Sequence, residues 1–389
     1  MLKLNRRSFI KNTSLLAASS SFSQILIMDA FANNPLNIYS INAAKVTKNW
    51  DEMSKMADVP LSFIPKKGSA QDFLELFSTS GEGQKLYDAI SDSGGNQEDI
   101  LSKENSIVTL DTSRIKNWKN LITSYSEDKV SASTIRNLKG EIVGVPYISN
   151  ADSVAYNKAK IGGEINTWKA LFDNQFKGYA AMQNDPGPTL TSTAIYLKET
   201  GNQDIVNPSD LSKSEVKGVC QFLIDKKKKG QFRAFWNNVR EGVDLLKSEE
   251  VLVSSCWESI AVMAARGRTD IHYGTMKEGH RTWNNVWMLT KGGKQRGQEE
   301  NFYKLMDLYL SPWFGARTLF IYGFTPQMIG VNEYIEANSS FFDTNIKEVL
   351  QQRLKYKVDR MKIKGNSWQN LYPKELMAYQ DWWAKLQAA

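Results

Sequence analysis

Short apolar runs alternate with helical patterns along this chain, and that alternation limits the fold more than any other feature. Residues 36–41 read as a buried strand, and Asn42-Ala43-Ala44 leads into a helical spacing through Trp50, Met53 and Met56. Residues 59–64 form a second apolar run, 72–77 a helix broken by Gly81 and Gly83, and 85–91 a third strand before the turn-like Asp92-Ser93-Gly94-Gly95. The same order returns downstream. Strands are expected at 140–147, 152–157, 180–185, 251–255, 271–273 and 287–290, with helices over 191–200, 214–229, 259–266, 298–310, 345–361 and 373–386. Parallel strands need crossover connections, so this pattern predicts an α/β fold in which sheets are flanked by helices. A chain of 389 residues is too long for one small core and fits two lobes.

The first 32 residues stand apart. Arg6-Arg7, with Phe9 and Lys11 following, resembles a twin-arginine export signal, and the serine-diluted apolar stretch 13–28 is too short and too polar to span a bilayer. Ala30 and Ala32 supply the small residues of a cleavage site, so the mature chain is expected to begin near Asn33 in the periplasm, carried there by the twin-arginine translocase.

Charge excludes some partners. Of the formal +7, the leader holds +3 (Lys3, Arg6, Arg7 and Lys11 against Asp29), which leaves only +4 for the rest. No basic stripe with interleaved aromatics points to nucleic acid. The run Lys226 to Lys229 before Gly230 reads as a solvated helix end. Cys220 and Cys256 could pair in an oxidising compartment, but buried free thiols are the ordinary expectation. There is no C-x-x-C, no G-x-G-x-x-G after a strand and no G-x-S-x-G. His272 and His280 lack metal-ligand spacing and read as surface or strand residues. The sequence therefore predicts no enzyme, no cofactor and no metal.

Several segments, in this order, carry a family resemblance: Tyr87-Asp88, Leu110-Asp111 through Trp118 to Leu121, Gly144-Val145-Pro146-Tyr147 running to Tyr156-Asn157, Thr167-Trp168, Phe176 to Asp185, Glu278-Gly279 to Trp283-Asn284-Asn285, Pro312, and Tyr322 to Pro326. Together they resemble the spermidine/putrescine-type solute-binding proteins of ABC importers. The resemblance implies a two-lobe type 2 periplasmic binding fold, each lobe a mixed, mostly parallel sheet flanked by helices. Lobe 1 would comprise residues 33–150 and about 284–330; lobe 2 would comprise 151–283 and about 331–389 with the C-terminal helices. It also implies a monomer that captures a small cationic or amine-containing solute, of the polyamine class, in the interlobe cleft and delivers it to a membrane permease. A different small organic solute in the same fold, such as an amino-acid derivative, is the alternative, and a redox enzyme exported by the twin-arginine route is the more remote one.

In the relatives, aromatic side chains box the methylene chain and carboxylates pair with the amines. Here Trp257 and Trp283 match two aromatic walls, Asp185 matches one carboxylate, and Phe324 stands where a tyrosine is usual. The departures are Ile41 and Ala44 for aromatics, Gly94-Gly95 for bulkier residues, Ser149-Asn150 for a tryptophan and glycine, and Asn285 and Pro188 for acids. An amide cannot neutralise an ammonium, so other acids are needed. Asp92, Asp152 and Glu258 are the candidates, with Asn42, Ser93 and Asn150 as further polar contacts; Asp185 and Glu258 together would hold a positive group. Trp118 and Trp168 are expected in the core.

Overall fold

Four strands begin the first sheet: β1 (Leu36–Ser40), β2 (Leu61–Pro65), β3 (Ala89–Ser93) and β4 (Val145–Ala151). Asp152 alone separates β4 from β5 (Ser153–Asn157), which starts the second sheet, and β6 (Ala180–Gln183), β7 (Phe232–Trp236), β8 (Val253–Cys256) and β9 (Ile271–Tyr273) complete it. The chain then returns to the first sheet as β10 (Arg281–Leu289), β11 (Thr325–Pro326) and β12 (Ser367–Trp368). This computed structural model describes residues 34–68, 70–267, 270–338 and 344–389. The leader read from Arg6, Arg7, Ala30 and Ala32 lies outside the described residues.

The first sheet runs β11-β4-β10-β3-β1-β2 with β12 beside β10, and the second runs β7-β6-β8-β5-β9. Both sheets are mixed. Their antiparallel share is larger than helix–strand alternation implies, because the returning β10 inserts antiparallel to both β3 and β4. β5 likewise runs against β8 and β9. β10 is buried along its whole length, as a central strand covered on both faces must be.

Each sheet has its own apolar core. Leu36, Ile38, Trp287, Phe302 and Phe314 fill one, and Trp168, Leu190, Val219 and Leu223 fill the other. Trp168 is buried as expected, its indole donating to the Gly279 carbonyl at 2.8 Å, while Trp118 is partly buried against the first core. Cys220 and Cys256 are both free and buried, and burial pushes the Cys220 thiol up to about 12. Local chemistry sets the helix ends. Ser212 and Glu215 form a reciprocal capping box at the start of Lys213–Lys228. At its other end the lysines do more than meet solvent: Lys226 donates to the Phe172 carbonyl and Lys227 to that of Leu386.

Three readings shift. Residues 83–86 are a helical turn with Leu86 exposed to solvent, and the strand expected at 85–91 begins only at Ala89. The strand expected at 140–147 is β4, displaced toward the polar residues Ser149 and Asn150, which are buried because Gln327 Nε2 donates to Ser149 Oγ and Asn150 reaches Asp152. His280 is not at the surface. It is buried where the chain crosses between the sheets, with Nε2 accepting from Met276 N and Nδ1 against the Asp152 carbonyl, and burial lowers its pKa to about 4.

Candidate functional site

The loops leaving β1, β2, β3, β6 and β8 converge on a cavity of about 700 Å3 between the two sheets. Ligand crevices in open α/β sheets lie outside the carboxyl ends of the strands, where successive crossover loops meet. Asn42 comes from the turn after β1, Lys66 from the residue after β2, and Asp92 and Ser93 from the end of β3. The second sheet contributes Gln183, Asp185 and Trp257 in the same way. β10 adds Arg281, Trp283 and Asn285 to the wall, and its register against β4 slips between Asn285 and Val286. Such a bulge re-aims side chains next to a site.

Aromatic rings wall the cavity from both lobes. Trp283 meets Phe324 edge-on at 5.5 Å, and Tyr322 stacks on Phe324 at 5.7 Å. Opposite them, Trp257 is braced edge-on by the buried Trp236 at 5.3 Å. Rings held by other rings cannot turn away, so these faces are fixed before a ligand arrives. The glycine at 94 has a local cause. A Cβ there would lie 2.4 Å from Asn284 Oδ1, and Asn284 is fully buried with Nδ2 on Tyr125 and Thr134.

Charges in the wall are mostly paired. Asp92 is ion-paired with Lys66. Ser93 Oγ donates to Asn285 Oδ1 at 2.9 Å. Arg281 Nη1 lies 2.5 Å from Asp152 Oδ2, and its Nη2 donates to Gln369 Oε1. Asp152 also accepts from Trp283 Nε1 at 2.7 Å. Burial pushes the Asp152 carboxyl up, against the opposing pull of Arg281 and Trp283. Asp185 differs: it is exposed, caps the Pro186–Glu199 helix by accepting from Gly187 N at 2.8 Å, and makes no ion pair among the described residues.

Of the residues expected from sequence, Asn42, Asp92, Ser93, Asp185, Trp257, Trp283, Asn285 and Phe324 come together at the cavity. Asn150, Asp152 and Glu258 do not line it. Asn150 is an interior residue of β4, and Asp152 is spent on Arg281 and Trp283. Glu258 starts a helix whose preceding residue, Trp257, faces the cavity, but its own carboxylate is bound by Lys357 Nζ at 2.5 Å and Arg360 Nη1 at 2.9 Å. Burial raises the Glu258 pKa, but Lys357 and Arg360 more than offset this and hold it below the usual glutamate value. It cannot also serve the ammonium expected for the pair Asp185 and Glu258. Sequence reasoning missed Lys66, Arg281 and Gln369. Lys66 could have been flagged as the first residue past a strand end; Arg281 sits two residues before the recognised Trp283.

Two α/β lobes around an aromatic-walled cleft are the architecture of periplasmic solute-binding proteins. Residues 55–316 match the model of the bacterial extracellular solute-binding protein family, and the chain belongs to that family. It is thus an extracellular solute-binding protein. A putative spermidine/putrescine ABC transporter protein from Listeria monocytogenes superposes with a TM-score of 0.69 at 15% identity, covering 91% of this chain and 99% of that one. The spermidine/putrescine substrate-binding protein of Streptococcus pneumoniae gives 0.68 at 12% identity, covering 92% and 99%. An A. tumefaciens binding protein in complex with agropinic acid gives 0.62 at 16% identity, covering 92% and 100%. None of the curated proteins compared with this chain by sequence matches it. Among the described residues, no helix is long and apolar enough to cross a membrane, and no cluster of His, Cys, Asp or Glu could hold a metal ion.

Proposed function

We propose that this protein captures a small organic solute bearing an amine, seats it between Trp257 on one lobe and Trp283 and Phe324 on the other, and hands it to a permease after the lobes close. The carrying observation is Asp185, exposed and in no ion pair among the described residues, which lines the same cavity as these rings between the two sheets. Each ring face contributes about 0.5–2 kcal/mol to a cation held over it, and a charge-assisted hydrogen bond to Asp185 about 1.5–3 kcal/mol. Contacts drawn from both lobes favour the closed form over the open one, which is the condition for a closure signal.

A fully extended polyamine suits this wall poorly. Each of its ammonium groups needs a carboxylate once desolvated. Asp92 and Asp152 already serve Lys66 and Arg281, and Glu258 is consumed behind the wall. Calorimetry on the mature protein with putrescine, spermidine and amino-acid-derived amines tests the reading. Trp257→Ala combined with Asp185→Asn is expected to weaken the best solute at least ~30-fold, the sum of one ring face and one charged hydrogen bond. Undiminished binding by that double variant would sink the site.

A further inference from the structure

A second cavity, of about 190 Å3, shares no wall residue with the cleft, although Trp257 lines one and the next residue, Glu258, lines the other. It lies between the second lobe and the helix Thr344–Met361. Val349, Arg353, Tyr356 and Arg360 recur every three or four residues along that helix, so they share one face, and all four border the cavity. The second lobe supplies apolar surface from Val262, Ala265 and Ile271, besides Glu258, His272 and Tyr273.

Positive charge is in excess here. Arg353, Lys357 and Arg360 all act on a single carboxylate, Glu258. Glu258 accepts from Lys357 and Arg360, and among the described residues no other acid lies within ion-pair distance of any of the three cations. Glu164, the acid on the His272 side, is already engaged by Lys158 and Tyr156. The Lys357 and Arg360 side chains are only 1% and 5% exposed, so this excess is held away from water, where unbalanced charge is costly. Burial lowers the Lys357 ammonium to about 8, with Arg360 and Arg353 pressing the same way against the pull of Glu258. Donors are in excess too. Of the five N–H groups on a guanidinium, Arg360 spends three, on Thr275, Glu258 and the Tyr273 carbonyl, and Arg353 spends one, on the Leu319 carbonyl. The Arg360 guanidinium also lies over the Tyr273 ring at 4.8 Å, which fixes its plane before any ligand arrives.

We propose that this cavity is a second binding site, for a small organic anion whose carboxylate is received by Arg353 and Arg360 and whose apolar part lies against Val262, Ala265 and Ile271. An anion supplies the negative charge the cluster lacks, and guanidinium forks match a carboxylate in geometry as well as sign. The apolar surface distinguishes an organic anion from an inorganic one, which would gain nothing from it. The site is independent of what the cleft holds.

Benzoate, its neutral isostere benzamide, and sulfate, titrated calorimetrically into the mature protein at neutral pH and low chloride, test the site. Benzoate is expected to bind once per chain, at least tenfold tighter than benzamide and tighter than sulfate. Arg353→Met removes a cation that no acid holds directly, so Glu258 keeps both its partners, and the variant should weaken benzoate at least tenfold. Ala265→Leu narrows the apolar side without touching a charge and should weaken benzoate while sparing sulfate. Urea unfolding of both variants checks that they are folded. Phe324→Ala, in the cleft, should leave benzoate binding as it is. Benzoate that binds no better than benzamide, keeps its affinity in Arg353→Met, or is lost in Phe324→Ala overturns the proposal, as does the absence of any binding. Sulfate binding as tightly as benzoate overturns the organic class.

Discussion

Glu98 is a buried carboxyl at the edge of the cleft loop, and its environment makes a pH prediction. Its oxygens accept from Gly95 N and Asn96 N at 3.2 Å, but burial outweighs these bonds and raises its pKa from 4.5 to about 7. The folded protein therefore holds a proton that the unfolded chain has already released. The stability it contributes is fully present below pH about 4.5 and is lost as pH rises toward 7. Glu98→Gln should leave stability at pH 4 nearly unchanged and raise it at pH 8 by up to about 3 kcal/mol, read from urea unfolding. Sequence legibility at this scale depended on chain distance. Trp257 and Trp283 could be read as cleft residues because each matches an aromatic-wall position of the family the sequence resembles. Glu258 could not be assigned, because the cations that bind it stand 99 and 102 residues later. Gln369 was invisible for the same reason.

The long helix Thr344–Met361 ties the lobes together behind the cleft. Leu350 packs in the first core and Arg353 donates to the Leu319 carbonyl, while Lys357 and Arg360 reach Glu258 beside the second lobe's Trp257. Removing one partner of a buried pair leaves a charge unpaired, so Glu258→Ala should cost about 3–5 kcal/mol in chemical denaturation. Adding Lys357→Met to that variant should recover part of the loss. At the capping box, Ser212→Ala should cost about 1 kcal/mol in the same assay. Elements with apolar periodicity were readable in advance, including β1, Lys213–Lys228 and Thr344–Met361. β7, the Val239–Lys247 helix and the Pro312–Tyr322 helix were not. The strand has a ladder partner on one side only and presents partly exposed residues, so neither a continuous apolar run nor a clean alternation marks it.

For the whole molecule, solute at 100 times its Kd should stabilise the fold by about 2.7 kcal/mol, measurable as a rise in Tm that disappears in Trp257→Ala combined with Asp185→Asn. The two-lobe plan was legible because strand–helix alternation over so long a chain cannot close around one core. How the lobes interlace was less so. β10 lies at the heart of the first sheet, between β3 and β4, yet pairs residues such as Asn285 with Ser93 across nearly half the chain. The second sheet, by contrast, draws on one continuous stretch from Ser153 to Tyr273. This imposes an order on assembly. As the chain is synthesised, all five strands of the second sheet are available before the strand that completes the first. Residues around β3 and β4 must wait with an open edge, which is the hazard of slow, non-local pairing. Pulse-labelled hydrogen exchange during refolding should find amides of β5, β6 and β8 protected before those of β3 and β4. The lobe whose sheet is drawn from the middle of the chain would then be the first to exist as structure, and the lobe whose sheet waits for the returning strands would be the last.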